Sequence, residues 1–177
     1  DMGFADVLRT WFYNRDMLEW YDAFNEVRTA FFEANNVFQM RVPASTGIGA
    51  RCGGDAALTA GLIAFKAKSA GDAASRAAVI PSPMQCPALE YGSSFSRAME
   101  LRDGALHWLW VSGTASIARE GESAHLGDIE KQVAFTMEVI RAILDLRRMD
   151  WRHVTRAIAY FKYREHACQL NQWFEKQ

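Results

Sequence analysis

The 177-residue sequence is poor in the features that mark several protein classes. It has three cysteines, Cys52, Cys86 and Cys168, with no CxxC among them. An odd, widely spaced set of this kind argues against a disulfide framework or a zinc site. Excess charge of either sign is missing: 20 basic side chains face 21 acidic ones, a formal net charge of −1. That balance removes the electrostatic footprint of a nucleic-acid binder. Long apolar runs are also absent, since the longest, residues 56–65, is too short to span a bilayer. No cationic segment precedes an apolar run at the N-terminus, so no leader is read there and the expected location is cytoplasmic. The four histidines, at 107, 125, 153 and 166, lack ligand spacing, and no metal or cofactor is expected.

What is present is ordinary globular composition, 50% hydrophobic and 23% charged. The length is enough for roughly one domain that holds a core without metal or disulfide. The sequence starts at Asp1 without Met and stops at Gln177 inside an amphipathic pattern, which reads as processing or as part of something longer.

Residues 7–14 (VLRTWFYN) are β-branched and aromatic and read as a strand. Met17, Trp20, Tyr21, Phe24, Val27 and Phe31 then recur at helical spacing, with Asp16 as N-cap and Asn35-Asn36 as the stop. Residues 43–50 (PASTGIGA) form a small-residue segment in which Gly47 and Gly49 permit close approach. Residues 56–67 read as a strand buried on both faces. The Ala/Ser/Gly-rich and then Pro-bearing stretch 68–88 reads as a boundary. Beyond it come a strand at 106–111 ending at Ser112-Gly113, and a turn at Glu120-Gly121-Glu122. A helix follows, capped by Asp128, with Ile129, Val133, Met137, Ile140 and Leu144 as its buried stripe and Arg147-Arg148 in its last turn. Residues 154–162 read as a strand and 164–177 as a helix. VLRTWFYN and VTRAIAYF, each leading into a helix, also look like two copies of one strand–helix unit.

Several constellations carry two readings. Arg41 and Arg97 can each clamp a carboxylate with a planar fork, or be respectively a loop cap and a solvated strand residue. Ser45-Thr46 beside Gly47, and Ser93-Ser94 beside Gly92, can donate to anions or simply make turns. Tyr91 is a donor or an interface aromatic. Gly113, Thr114 and Ala115 leave room for a ring, or Gly113 is only a strand-end bend. Gly47-Ile48-Gly49 with Gly53-Gly54 lacks the strand–turn–helix setting of a dinucleotide loop. Cys168 beside His166 and Glu165 is too close in sequence for a nucleophile–base pair.

Phe95-Ser96-Arg97-Ala98, Ser112-Gly113 one strand later and Gln132 in the next helix resemble the front of the RidA (YjgF, endoribonuclease L-PSP) superfamily. The first unit, with Arg41 on its loop, resembles the back of the same domain. The segments RVPASTGIG (41–49), YGSSFSRA (91–98), SGTASIA (112–118) and SPMQCP (82–87) resemble the tandem-domain chorismatases in particular.

That resemblance implies an α+β fold, sheets with helices packed on one face, two pseudo-repeated units and sheets buried in a homo-trimer. It implies residues 1–70 as the C-terminal half of a first domain, 71–90 as a linker and 91–177 as the N-terminal part of a second. The implied activity is cleavage of chorismate to pyruvate and a cyclohexadiene diol or hydroxybenzoate. The substrate would be held by Arg41, Tyr91, Ser94, Phe95, Arg97, Gly113, Thr114 and Ala115. Two departures stand out: Phe95 replaces the superfamily's Tyr, and residues 56–67 contain no carboxylate. The acid Glu of the chorismatases is therefore expected beyond Gln177. A RidA-type enamine or imine deaminase and a non-catalytic small-molecule-binding protein are the alternatives.

Overall fold

The computed structural model describes residues 2–50, 55–68 and 76–177. Cys52, Gly53, Gly54 and linker positions 71–75 lie outside the described residues. The fold is mixed α+β with two three-stranded sheets and helices. Asp1–Pro81 with Pro87–Gly113 make one compact unit, and Ser82–Cys86 with Thr114–Gln177 make a second. No described helix is long and apolar enough to cross a membrane.

The first unit begins with a βαβ crossover. Strand β1 (Val7–Asn14) leads into helix α1 (Met17–Ala34), the one-turn helix α2 (Val37–Met40) and strand β2 (Ala44–Gly49). β2 pairs parallel to β1, and β3 (Leu58–Ala64) pairs antiparallel on its other side, giving the order β2-β1-β3. A crossover of this length is what parallel pairing requires. The small-residue segment read at 43–50 is thus a strand. Its close approach is real: a Cβ on Gly47 would meet the Met17 side chain at 3.2 Å.

The second sheet, order β4-β5-β6, is wholly antiparallel: β4 (Ala77–Ile80), β5 (Ala98–Asp103) and β6 (Leu106–Val111). β5 and β6 are joined by the two-residue turn Gly104-Ala105, where Gly104 adopts φ 59°. Glycine supplies that left-handed conformation without a Cβ penalty.

The two sheets meet at the outer edge of β2. Ala44 bridges Ser96 in parallel, Ser96 N donates to Pro43 O at 3.0 Å, and Gly113 N donates to Ser45 O at 2.9 Å. Leu8, Ala44, Ala77, Met99 and Leu101 form the core shared by both sheets, with Phe65 and Trp110 packed against it. Burial of side chains the size of Leu8 and Met99, both 0% exposed, contributes about 1.5–3 kcal/mol each.

In the second unit, helix α3 (Ile129–Asp145) is capped as its sequence predicts, the Asp128 carboxylate accepting from Lys131 N at 3.0 Å. Helix α4 (Cys168–Glu175) packs on it, Trp151 meeting Trp173 and Phe174 edge to face.

Several expectations are corrected. Asp16 takes φ 51° and makes no side-chain cap bond. The buried residues of α1 are Phe24, Asn25, Arg28 and Phe32, whereas Val27 is 70% and Phe31 44% exposed, because their stripe faces an open cleft. β3 is exposed over most of its length within the chain. In α3, Val139 and Ile143 are buried alongside Val133, Met137 and Leu144, while Ile129 and Ile140 are half-buried. Arg147 and Arg148 follow the last turn of α3 rather than lying in it, and Arg148 takes the left-handed stop. Residues 154–162 form no ladder among the described residues and are almost entirely exposed. A strand is defined by its hydrogen-bonded neighbour, which β propensity alone does not supply.

Candidate functional site

A seam of hydroxyls runs along the junction of the two sheets. Ser112 Oγ donates to Ser96 O at 2.5 Å and accepts from Ser45 N at 2.9 Å. Thr10 Oγ1 donates to Ser45 Oγ at 2.9 Å. Thr46 Oγ1 accepts from Arg9 Nη2, whose guanidinium lies 4.5 Å over the Trp11 ring. Arg9, Thr10, Ser45, Ser96 and Ser112 are buried, Thr46 is half-buried, and their hydrogen bonds go to one another, so the seam is a rigid frame.

The frame fixes the segment that carries Arg97. Ser112 N donates to Arg97 O at 2.9 Å, which holds the backbone at the start of β5. Arg97 is 6% exposed, and its guanidinium carbon lies over two rings, 5.3 Å from the Tyr91 centroid and 5.5 Å from that of Phe95. Stacking on aromatic faces orients a guanidinium. Tyr91 ends a short helical turn, Ala88–Tyr91, closed by Gly92 at φ 80°. Ser93 N returns to Ala88 O at 3.0 Å, and Ser94 Oγ shares a 2.7 Å hydrogen bond with Thr29 Oγ1 of α1. The loop is thereby pinned to the helix.

Between this loop and α1 lies a cleft of about 560 Å³, lined by Tyr21, Asn25, Thr29, Tyr91, Gly92 and Ser93, with Asp22, Glu26 and Glu33 on the helix side. Its volume falls in the range of small-molecule sites.

The remaining sequence candidates lie elsewhere. Arg41 donates from Nη1 to Ala77 O at 2.7 Å and from Nη2 to Ala5 O at 3.4 Å, tying the end of α2 to β4 and to the N-terminal turn. Gly113 stands against β2, where a Cβ would meet Thr46 Cγ2 at 3.0 Å. Thr114 and Ala115 belong to the second unit, where Gln85 Nε2 donates to Ala115 O at 3.2 Å and to Ile117 O at 3.0 Å. Also in that unit, Gln132 Nε2 donates to His125 O at 3.0 Å, and His125 Nδ1 meets Ser116 Oγ at 3.1 Å. The structure thus brings Tyr91, Phe95 and Arg97 together and links Ser94 to α1. Among the described residues no group of His, Cys, Asp and Glu is placed to hold a metal ion.

Sequence reasoning missed Arg28. It is 8% exposed on α1, donates from Nη2 to Asn25 Oδ1 at 2.7 Å, and lies 5.1 Å over the Phe24 ring. Desolvation lowers its pKa from the usual arginine value, against the opposing fields of Tyr21 and Tyr91. The available signal was Asn25-x-x-Arg28, one helical turn of polar residues on the same side as Phe24 and Phe32.

No family model matches the chain. It is 31% identical to a 3-hydroxybenzoate synthase of Streptomyces hygroscopicus over 162 residues, covering 81% of this chain and 44% of that protein. In fold it is similar to a solved chorismatase, with a TM-score of 0.73 and 23% identity, covering 97% of this chain and 56% of the other. The chain therefore spans about half the length of each relative, and what it shares with them over that span is a chorismatase-like fold.

Proposed function

We propose that this chain binds chorismate, or a close dicarboxylate analogue, as part of a chorismatase-like enzyme. The reaction would release pyruvate together with a cyclohexadiene diol or a hydroxybenzoate. Its support is similarity to a 3-hydroxybenzoate synthase, together with a cleft of small-molecule size walled by Tyr91, over whose ring the buried Arg97 guanidinium lies.

Cleavage of an enol ether needs its vinyl carbon protonated, its carboxylates held, and water admitted or excluded according to product. In this reading Arg97 grips one carboxylate as a bidentate fork, and Tyr91 donates a further hydrogen bond. Phe95 keeps the guanidinium planar to its partner, and Ser94 holds the loop through Thr29. Arg41, with both terminal nitrogens donated to backbone carbonyls, serves as a tie on the approach to β2. A RidA-type deaminase would need a free Arg paired with a Glu, and the engagement of Arg41 gives that alternative no support.

The test uses the full-length protein that contains this chain, incubated with chorismate, with pyruvate coupled to lactate dehydrogenase. Loss of a charge-assisted bidentate contact in Arg97→Met is expected to lower kcat/KM by about 10- to 150-fold, with partial recovery in Arg97→Lys. No pyruvate above the Arg97→Met background would overturn the reading, and turnover of 2-aminoacrylate in its place would point to the deaminase.

A further inference from the structure

One face of α1 forms the helix wall of the Tyr91 cleft, and its residues differ in how far they meet water. Asp22, Glu26 and Glu33 are exposed, Tyr21 and Thr29 are half-buried, and Asn25 is 9% exposed. Solvent and salt screen the three carboxylates. The buried end of the wall is therefore set by Asn25 and by what stands behind it.

Arg28 decides which way the Asn25 amide faces. Arg28 Nη2 lies 2.7 Å from Asn25 Oδ1. A guanidinium only donates, so the amide turns its oxygen to Arg28 and its NH2 group away. That Nδ2 makes no hydrogen bond among the described residues, and it is not sealed from solvent as Arg28 Nε is. Asn25 thus offers an accessible donor in the cleft that it lines.

A charge stands behind this donor. Arg28 is 8% exposed, and no acidic side chain pairs with it among the described residues. Its interaction with Tyr21 and Tyr91, which both line the cleft, places the cation within electrostatic reach of the same wall. A buried cation behind a neutral donor favours a negatively charged acceptor in front of it.

We propose that Asn25 is a substrate-binding residue, its Nδ2 donating to a second carboxylate of the ligand beyond the one on Arg97. Arg28 is the positioning residue that keeps this amide with its donor side toward the cleft. The inference rests on the chorismatase-like reading and adds to it the group that holds the other end of the dicarboxylate.

The test uses the full-length protein that contains this chain, with chorismate as substrate and pyruvate as readout. Asn25→Asp is nearly isosteric and gives Arg28 an ionic partner, but it replaces the donor in the cleft by an acceptor. It is expected to raise KM by about 10- to 150-fold, as for a lost hydrogen bond to a charged group, with kcat within about twofold of wild type. Were Asn25 there only to satisfy Arg28, Asp would serve at least as well. A KM for Asn25→Asp within about twofold of wild type would therefore overturn the proposal. Arg28→Lys keeps a donor for Oδ1 and should leave KM within about fivefold of wild type, whereas Arg28→Met frees the amide to turn and should match Asn25→Asp. A wild-type KM in Arg28→Met would remove the positioning role. Should that variant not fold, a KM in Arg28→Lys as high as that of Asn25→Asp would do the same. No pyruvate from the wild type would be a different failure, taking down the chorismatase-like reading and this inference with it.

Discussion

Gly113 has no room for a side chain. An added Cβ would sit 3.0 Å from Thr46 Cγ2, 3.3 Å from Thr46 Oγ1 and 3.4 Å from Thr46 Cα, all on the strand that joins the two sheets. The Cα cannot retreat without disturbing the hydrogen bond from Gly113 N to Ser45 O. Gly113→Ala is therefore expected to destabilise by about 1–3 kcal/mol, the usual cost of overpacking. Thr46→Ser removes the nearest methyl yet keeps the hydroxyl that accepts from Arg9, so it should recover part of that loss in the double variant. Thermal melts of the four proteins check this, and strict additivity of the two changes would show that the contact is not the cause. The sequence suggested that smallness matters at 113, but not against what. A pocket wall and a backbone junction both call for glycine, and only the position of Thr46 separates them. Arg28 stayed hidden for a related reason, since an apolar-spacing count treats a cation as a gap in the stripe, although this one is buried deep beside Phe24.

Elements whose pattern is self-contained were legible from sequence, and those that depend on a neighbour were not. β1, β6, α1 and α3 show themselves through propensity, period and stop residues, and each forms where its residues predict. β2 is built from Ala, Ser, Thr and Gly with one Ile; its strand conformation comes from parallel pairing with β1. Residues 154–162 have the better β propensity and make no ladder. The cap of α3 is a local feature that can be tested alone. Asp128 accepts from Lys131 N and meets Lys131 Nζ at 2.8 Å, and these contacts hold its pKa below the ordinary value of 3.8. A carboxyl whose folded pKa is depressed contributes stability that is present above the unfolded value. That stability is lost as pH falls through the folded one. Asp128→Ala should lower Tm by a few degrees near pH 7 through loss of the cap. The gap between variant and wild type should close in acid, as pH falls below the ordinary 3.8 and through the lower folded value and the wild-type carboxylate takes up its proton. A Tm difference that stays constant into acid would mean that the carboxylate charge plays no part in the cap.

At the scale of the whole molecule, both sheets of the first unit end on an outer strand with apolar side chains in the open. β3 carries Leu58 and Leu62, 39% and 62% exposed, and β6 carries Leu106 and Trp108, 57% and 45% exposed. An outer strand offers a row of backbone donors and acceptors, and natural proteins usually protect such edges with charge, proline or a covering segment. Neither strand contains Lys, Arg, Asp, Glu or Pro. Trp108 is moreover stacked on Trp110 at 5.9 Å and 6° between planes, a flat aromatic surface continuous with the shared core beside Leu101 and Met99. Exposed apolar patches of this kind often mark interaction surfaces, and we propose that further copies of the chain cover this one, as in the homo-trimer that the family resemblance implies. Sedimentation velocity on the protein is expected to show an assembled species that persists on dilution to about 1 µM, the range of a specific interface. Trp108→Glu places a charge on the stacked surface and should release protomers at the same concentration, with the far-ultraviolet circular dichroism unchanged. A wild type that is monomeric up to about 100 µM would show that these strands stay open in solution. Trp108 would then remain accessible to acrylamide quenching to the extent that its exposure implies.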